Sequence, residues 1–220
     1  SLRRVEYAYD HQSRRVARRE YTLGNSQWQL EAASAFIYDG WNLVAETIQR
    51  QQTTVTNLYV WGLDLSNSRQ GAGGIGGLLA AALATNETQA VGATYGYDGN
   101  GNVSVVAVGG NSEPFALATS LEYDPFGRSI AQRTTPCHEP LAAANPFRFS
   151  TKWFDNTTGL GYWGYRWYSP SIGRWLNRDP MGEKGGVNLI AASKNNLVNH
   201  ADILGLNIYS PPVIMPITPG

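Results

Sequence analysis

The chain has 220 residues and a formal net charge of zero; 15% of its residues are charged, 11% are aromatic and 24 are glycine. So balanced a charge argues against nucleic acid or an anionic membrane as the main partner, because both select a basic excess. A single cysteine, Cys137, excludes an internal disulfide, and the many rings and glycines point to strands and tight turns rather than helices.

The chain begins at Ser1 with no Met and no targeting segment, so it reads as a fragment or a processed product. Its first twenty residues, SLRRVEYAYDHQSRRVARRE, carry six arginines. Interleaved with apolar positions, these predict the solvated face of edge strands, where charge blocks unwanted pairing. A unit then recurs in YAYDHQSRRVA, FIYDGWNLVAE, YGYDGNGNVSV and LEYDPFGRSIA, with Asp10, Asp39, Asp98 and Asp124 at intervals of 29, 59 and 26 residues. LYVWGLDLSNSRQ, residues 58 to 70, is the candidate for a degenerate unit inside the long interval. Alternating positions before each Tyr predict a half-buried strand. Asp followed by Gly or Pro predicts a turn, because the carboxylate bonds nearby backbone N–H groups. Self-similarity at this period indicates repeats that share one sheet.

GAGGIG, residues 71 to 76, has the glycine spacing of a dinucleotide fingerprint. The preceding LSNSRQ makes a poor buried strand and the next acid is Glu87, so a tight bend is predicted instead. The apolar run IGGLLAAALA is too short to span a bilayer and is broken by glycine, so no membrane insertion is expected. RTTPCHEPLAAANP is Pro-rich and predicts a connecting loop. Cys137 and His138 are adjacent while His11 and His200 lie far away, a pattern without the spacing of a metal site.

Residues 161 to 180, GYWGYRWYSPSIGRWLNRDP, crowd rings among arginines. A strand here would put Trp163, Tyr165 and Trp167 on one face, and Gly164, Pro170 and Gly173 offer bends on which the stretch can fold back. Arg166 and Arg174 are candidates to lie over ring faces. A buried plug is the expectation, with a sugar-stacking platform as the alternative.

The Tyr-Asp units resemble the YD repeats of the RHS family, whose pattern is roughly Tyr-Asp-x-x-Gly-Arg. YDPFGR at 123 to 128 fits in full, Ser13 replaces the Gly of the first unit, and the Asp39 and Asp98 units lack the Arg. Residues 145 to 206 resemble the RHS repeat-associated core domain. The resemblance implies an all-β fold: a coiled YD-repeat β-sheet, ribbon or shell, closed by the aromatic-rich core as a plug. It implies repeats over 1–144, the core domain over 145–206, and an extended Pro-rich apolar tail over 207–220, too short for a toxin. Expected partners are upstream repeats, identical subunits, toxin cargo or glycans, with no nucleic acid and no cofactor, in a secreted or bacterial cell-surface setting.

The resemblance also implies a chemistry. Several members cut themselves after the Leu of an Asp-Pro-x-Gly-Leu stretch. Here the matching residues are DILGL, with Ile203 in place of Pro, and the equivalent bond is Leu206–Asn207. An aspartyl protease needs two carboxyls close enough to share a proton, one to activate water and one to protonate the peptide. Asp179 and Asp202 are the candidate pair, with Arg178 holding one carboxylate ionised. As plain residues, Asp179 beside Pro180 and Asp202 before Gly205 are also turn formers, which leaves a structural role open. So does a different class of function, a subunit of a surface or extracellular fibre joined through strand or tail addition.

Overall fold

The protein is described by a computed structural model that covers residues 2–110, 113–185, 188–197 and 200–209. Ten strands form one antiparallel sheet in chain order: β1 (Arg3–Tyr9), β2 (Arg15–Gly24), β3 (Gln27–Asp39), β4 (Asn42–Arg50), β5 (Thr53–Trp61), β6 (Leu78–Ala84), β7 (Ala90–Tyr97), β8 (Val103–Gly110), β9 (Glu113–Tyr123) and β10 (Ser129–Thr134). The fold is all-β, as expected.

The Tyr-Asp turns share one hydrogen-bond pattern. The Asp98 N–H donates to the Asn102 carbonyl and Gly101 N–H returns to the Asp98 carbonyl, while the Asp98 carboxylate accepts from the N–H groups of Asn100 and Asn102. Asp10 and Asp124 repeat it, with left-handed residues Ser13 (φ 65°) and Gly127 (φ 82°) at the matching position. The same backbone pair of bonds closes at Asp64, with Asn67 at φ 57°, so the loop from 62 to 77 does hold a degenerate unit. Asp39 differs: it pairs with Asn42 across a two-residue turn. GAGGIG bends within that loop and leads into strand β6, not a helix.

One face of the sheet carries the core. Phe36, Tyr59, Ala81, Ala93, Val106, Ala118 and Leu121 are buried there. On it sits a small second sheet of β11 (Trp153–Asp155), β12 (Leu160–Tyr162), β13 (Trp167–Ser169) and β14 (Arg174–Trp175), followed by a hairpin of β15 (Ala201–Ile203) and β16 (Asn207–Tyr209). Edge-on ring pairs make the seam: Phe36 to Trp153 at 5.6 Å and Tyr59 to Phe147 at 5.0 Å between centroids.

Four expectations are corrected. The Pro-rich connection contains a short helix, α1 (Glu139–Ala144), because Pro140 suits a first helical turn and Leu141 and Ala142 bury one side. The ring-rich stretch is not one strand: it breaks at Gly164 (φ 114°), folds back, and buries Trp163 and Trp175 while Tyr165 is exposed. Arg15 and Arg18 are buried, not solvated. Residues 207–209 pair with β15, whereas the predicted tail from 210 to 220 lies outside the described residues. No helix among the described residues is long and apolar enough to cross a membrane.

Candidate active site

Arg166 organises the site. The chain reaches it through Gly164, where a Cβ would lie 3.1 Å from the Trp41 ring and 3.4 Å from the Leu204 side chain, so only glycine permits the approach at that φ. The Arg166 guanidinium is buried. Its Nη2 lies 3.1 Å from Asp179 Oδ2 and 3.4 Å from Asp202 Oδ2, and its Nε donates to the Gly205 carbonyl. The Trp175 ring covers it, 4.3 Å from the guanidinium carbon to the centroid.

Each acid is fixed by its own backbone. Asp179 holds a turn: its carboxylate accepts the Met181 N–H at 2.8 Å, and its N–H donates to the Leu189 carbonyl at 2.9 Å. Asp202 sits in β15 opposite Ile208. The loop between β15 and β16 puts Leu204 (φ 58°) and Gly205 (φ 75°) in the left-handed region, with Leu206 N–H bonded to the Ile203 carbonyl. Tyr165 N–H donates to the Leu204 carbonyl at 3.1 Å, so the segment before the Leu206–Asn207 bond is held from both sides.

The electrostatics separate Asp202 from ordinary surface carboxyls. Burial pushes Asp202 up to about 7, against the opposing pull of Arg166, the Leu206 N–H and Lys152, while Asp179 adds to the rise. Burial lowers Arg166, with Asp202 and Asp179 resisting. Asp202 Oδ1 has no hydrogen-bond partner among the described residues. A carboxyl that keeps its proton near neutrality, beside a second carboxyl on the same guanidinium, can act as general acid while its neighbour acts as general base.

Asp179 and Asp202 are thus brought together, while Arg178 is not part of the cluster. It is exposed and makes no ion pair among the described residues. The cation in the expected role is Arg166, which the sequence had offered only as a cover for rings. Lys152, also buried, was missed: one lysine in FSTKWF carries no spacing signal. Among the described residues there is no group of three potential metal ligands.

No family model matches the chain. It is 35% identical over 112 residues to toxin subunit YenC1 of Yersinia entomophaga, covering 51% of this chain and 11% of that protein. It is 27% identical over 195 residues to double-stranded DNA deaminase toxin A of Burkholderia cenocepacia, covering 87% of this chain and 13% of the relative. Among solved structures, the TcdB2-TccC3 crystal structure superposes with a TM-score of 0.68 at 22% identity over 92% of this chain and 9% of that one. A Photorhabdus luminescens Tc holotoxin pore gives 0.69 at 21% identity over 93% of this chain and 9% of that one. Of the two relatives one is a toxin subunit and the other a toxin, the fold is shared with the two solved structures, and the chain spans about a tenth of the length of each.

Proposed function

We propose that the chain is a wall-and-plug portion of an RHS-type shell in a secreted toxin. In this reading residues 1–144 are YD repeats that continue an upstream wall, 145–206 are the core domain that closes it, and 207–220 lead toward cargo. The core domain cuts the backbone after Leu206. What supports this is the convergence of Asp179 and Asp202 on buried Arg166, which also holds the carbonyl of Gly205, next to the bond to be cut.

The step balances without a cofactor. Asp179, the carboxylate on Arg166, takes a proton from water as the water oxygen bonds to the Leu206 carbonyl carbon. Asp202, the carboxylic acid, gives its proton to the Asn207 nitrogen and the C–N bond breaks. A Leu206 carboxylic acid and an Asn207 amine are left, and the new acid's proton returns Asp202 to its acid form. Arg166 offsets the negative charge through the sequence.

Mass analysis of the purified chain under denaturing conditions tests the cut. The native chain should give a fragment ending at Leu206 and a peptide starting at Asn207, whereas Asp179→Asn and Asp202→Asn should each stay intact. A native chain that remains whole at every pH from 4 to 9 rules out self-cutting. Electron microscopy of the particle the chain belongs to tests the shell separately, since a closed cage and an extended fibre differ in outline.

A further inference from the structure

A second buried cation stands beside the acid pair. Lys152 follows Ser150 (φ 51°) and Thr151 (φ 52°), two successive non-glycine residues in the left-handed region. Such backbone is strained and persists only when its surroundings enforce it. Here they do: Ser150 N–H donates to Asn102 Oδ1 at 2.8 Å, Thr151 Oγ1 donates to the Gly101 carbonyl at 2.7 Å, and Gly76 N–H donates to Thr151 Oγ1 at 2.8 Å. The strained turn directs Lys152 inward, where Nζ donates to the Gly73 carbonyl at 2.6 Å. A Cβ built on Gly73 would lie 3.4 Å from that Nζ, 3.4 Å from Ile203 Cγ2 and 3.5 Å from Leu204 N. Gly73 thus stands between the ammonium and the residues that directly follow Asp202.

We propose that Lys152 is a positioning residue for the acid pair: its ammonium, anchored on Gly73, sets how firmly Asp202 holds its proton. The consequence for cleavage rests on the self-cutting proposed above; the effect on Asp202 does not. Four groups face Asp202: Arg166, Asp179, Lys152 and the Leu206 N–H. Lys152 in turn is faced by Asp202 and Asp64. Burial draws Lys152 down to about 8, and the two carboxylates pull it back up. A cation favours the ionised form of a nearby acid. Lys152 thus opposes the burial that keeps Asp202 protonated, and its removal should let Asp202 carry the proton to higher pH.

The experiment follows the Asp202 carboxyl by carbon-13 NMR across pH, in chains kept whole by Asp179→Asn, with and without Lys152→Met. The Asp202 midpoint should rise by roughly one pH unit when Lys152 is replaced, the lower end of what a nearby opposite charge supplies. An unchanged midpoint overturns the proposal, whatever cleavage does. In parallel, the alkaline limit of cleavage in the otherwise native chain should move up by the same amount in Lys152→Met. If the midpoint moves but the native chain is never cut, Lys152 governs Asp202 and only the protease reading falls. Should Lys152→Met not fold, nitrogen-15 titration of Lys152 in Asp202→Asn gives the reciprocal measurement. Linkage requires an equal fall in the Lys152 midpoint, and no fall overturns the proposal.

Discussion

Arg15 and Arg166 both lie buried, and they are kept there by opposite means. Arg15, in β2, has a fully buried side chain and no hydrogen bond from any guanidinium nitrogen among the described residues. Rings enclose it instead: Trp153 at 3.7 Å, Phe36 at 3.8 Å, Tyr162 at 4.7 Å and Trp167 at 5.7 Å from the guanidinium carbon. Those rings come from β3, β11, β12 and β13, so the cage fastens the ten-stranded sheet to the plug. Arg166 is held by two carboxylates and one ring. Ring faces steady a cation without offering it a proton acceptor, whereas carboxylates do both. The first arginine is architecture, and the second sits where the proposed cleavage would take place.

Replacing each arginine by methionine should pull the two apart. Arg166→Met leaves two buried carboxyls without their cation, which costs about 3–5 kcal/mol of stability near pH 7. Cleavage should vanish as well. Urea melts should show a smaller loss at pH 5, where Asp202 holds its proton, and an equal loss at both pH values would refute the role given to Arg166. Arg15→Met removes a buried charge and leaves an apolar side chain among rings, a change expected within about 1.5 kcal/mol. Cleavage after Leu206 should persist in that variant. If Arg15→Met unfolds as badly as Arg166→Met, the rings are not a sufficient replacement for solvent.

Where sequence and structure agree, the cause is local. A carboxylate reaching N–H groups two and four residues ahead closes the turns at Asp10, Asp98 and Asp124, and every participant is visible within five residues. The Asp64 loop was legible for the same reason. Arg15 and Arg18 were not, since burial depends on partners far along the chain: Trp153 for one and Asp155, 2.7 Å from Arg18 Nε, for the other. An arginine beside other arginines looks solvated until those partners are in place. In the site, the two acids were legible through the resemblance alone. Arg178 is adjacent to Asp179 in sequence only, whereas fold-back at Gly164 delivers Arg166, in a stretch whose dominant sequence signal is its rings.

The pH profile of stability is the sharpest test of the proposed chemistry at Arg166. Asp202 titrates near 3.8 when unfolded and at about 7 in the fold, so between those values the folded chain binds the extra proton. Stability contributed by Asp202 is therefore complete below about pH 4 and is lost as pH rises to about 7. Lys152 runs the other way: its value falls from 10.5 to about 8, so its contribution grows as pH rises from about 8. Together they give the native chain a stability minimum between about pH 7 and 8. In urea melts from pH 4 to 9.5, Asp202→Asn should fill the acid side of that minimum and Lys152→Met should raise its floor, narrowing toward the native curve above pH 8. Replacing Arg15 by methionine should act on the curve only through Glu46, whose carboxyl burial pushes up and Arg15 pulls back down. A minimum that Asp202→Asn leaves untouched would mean that the proton near pH 7 belongs to some other group.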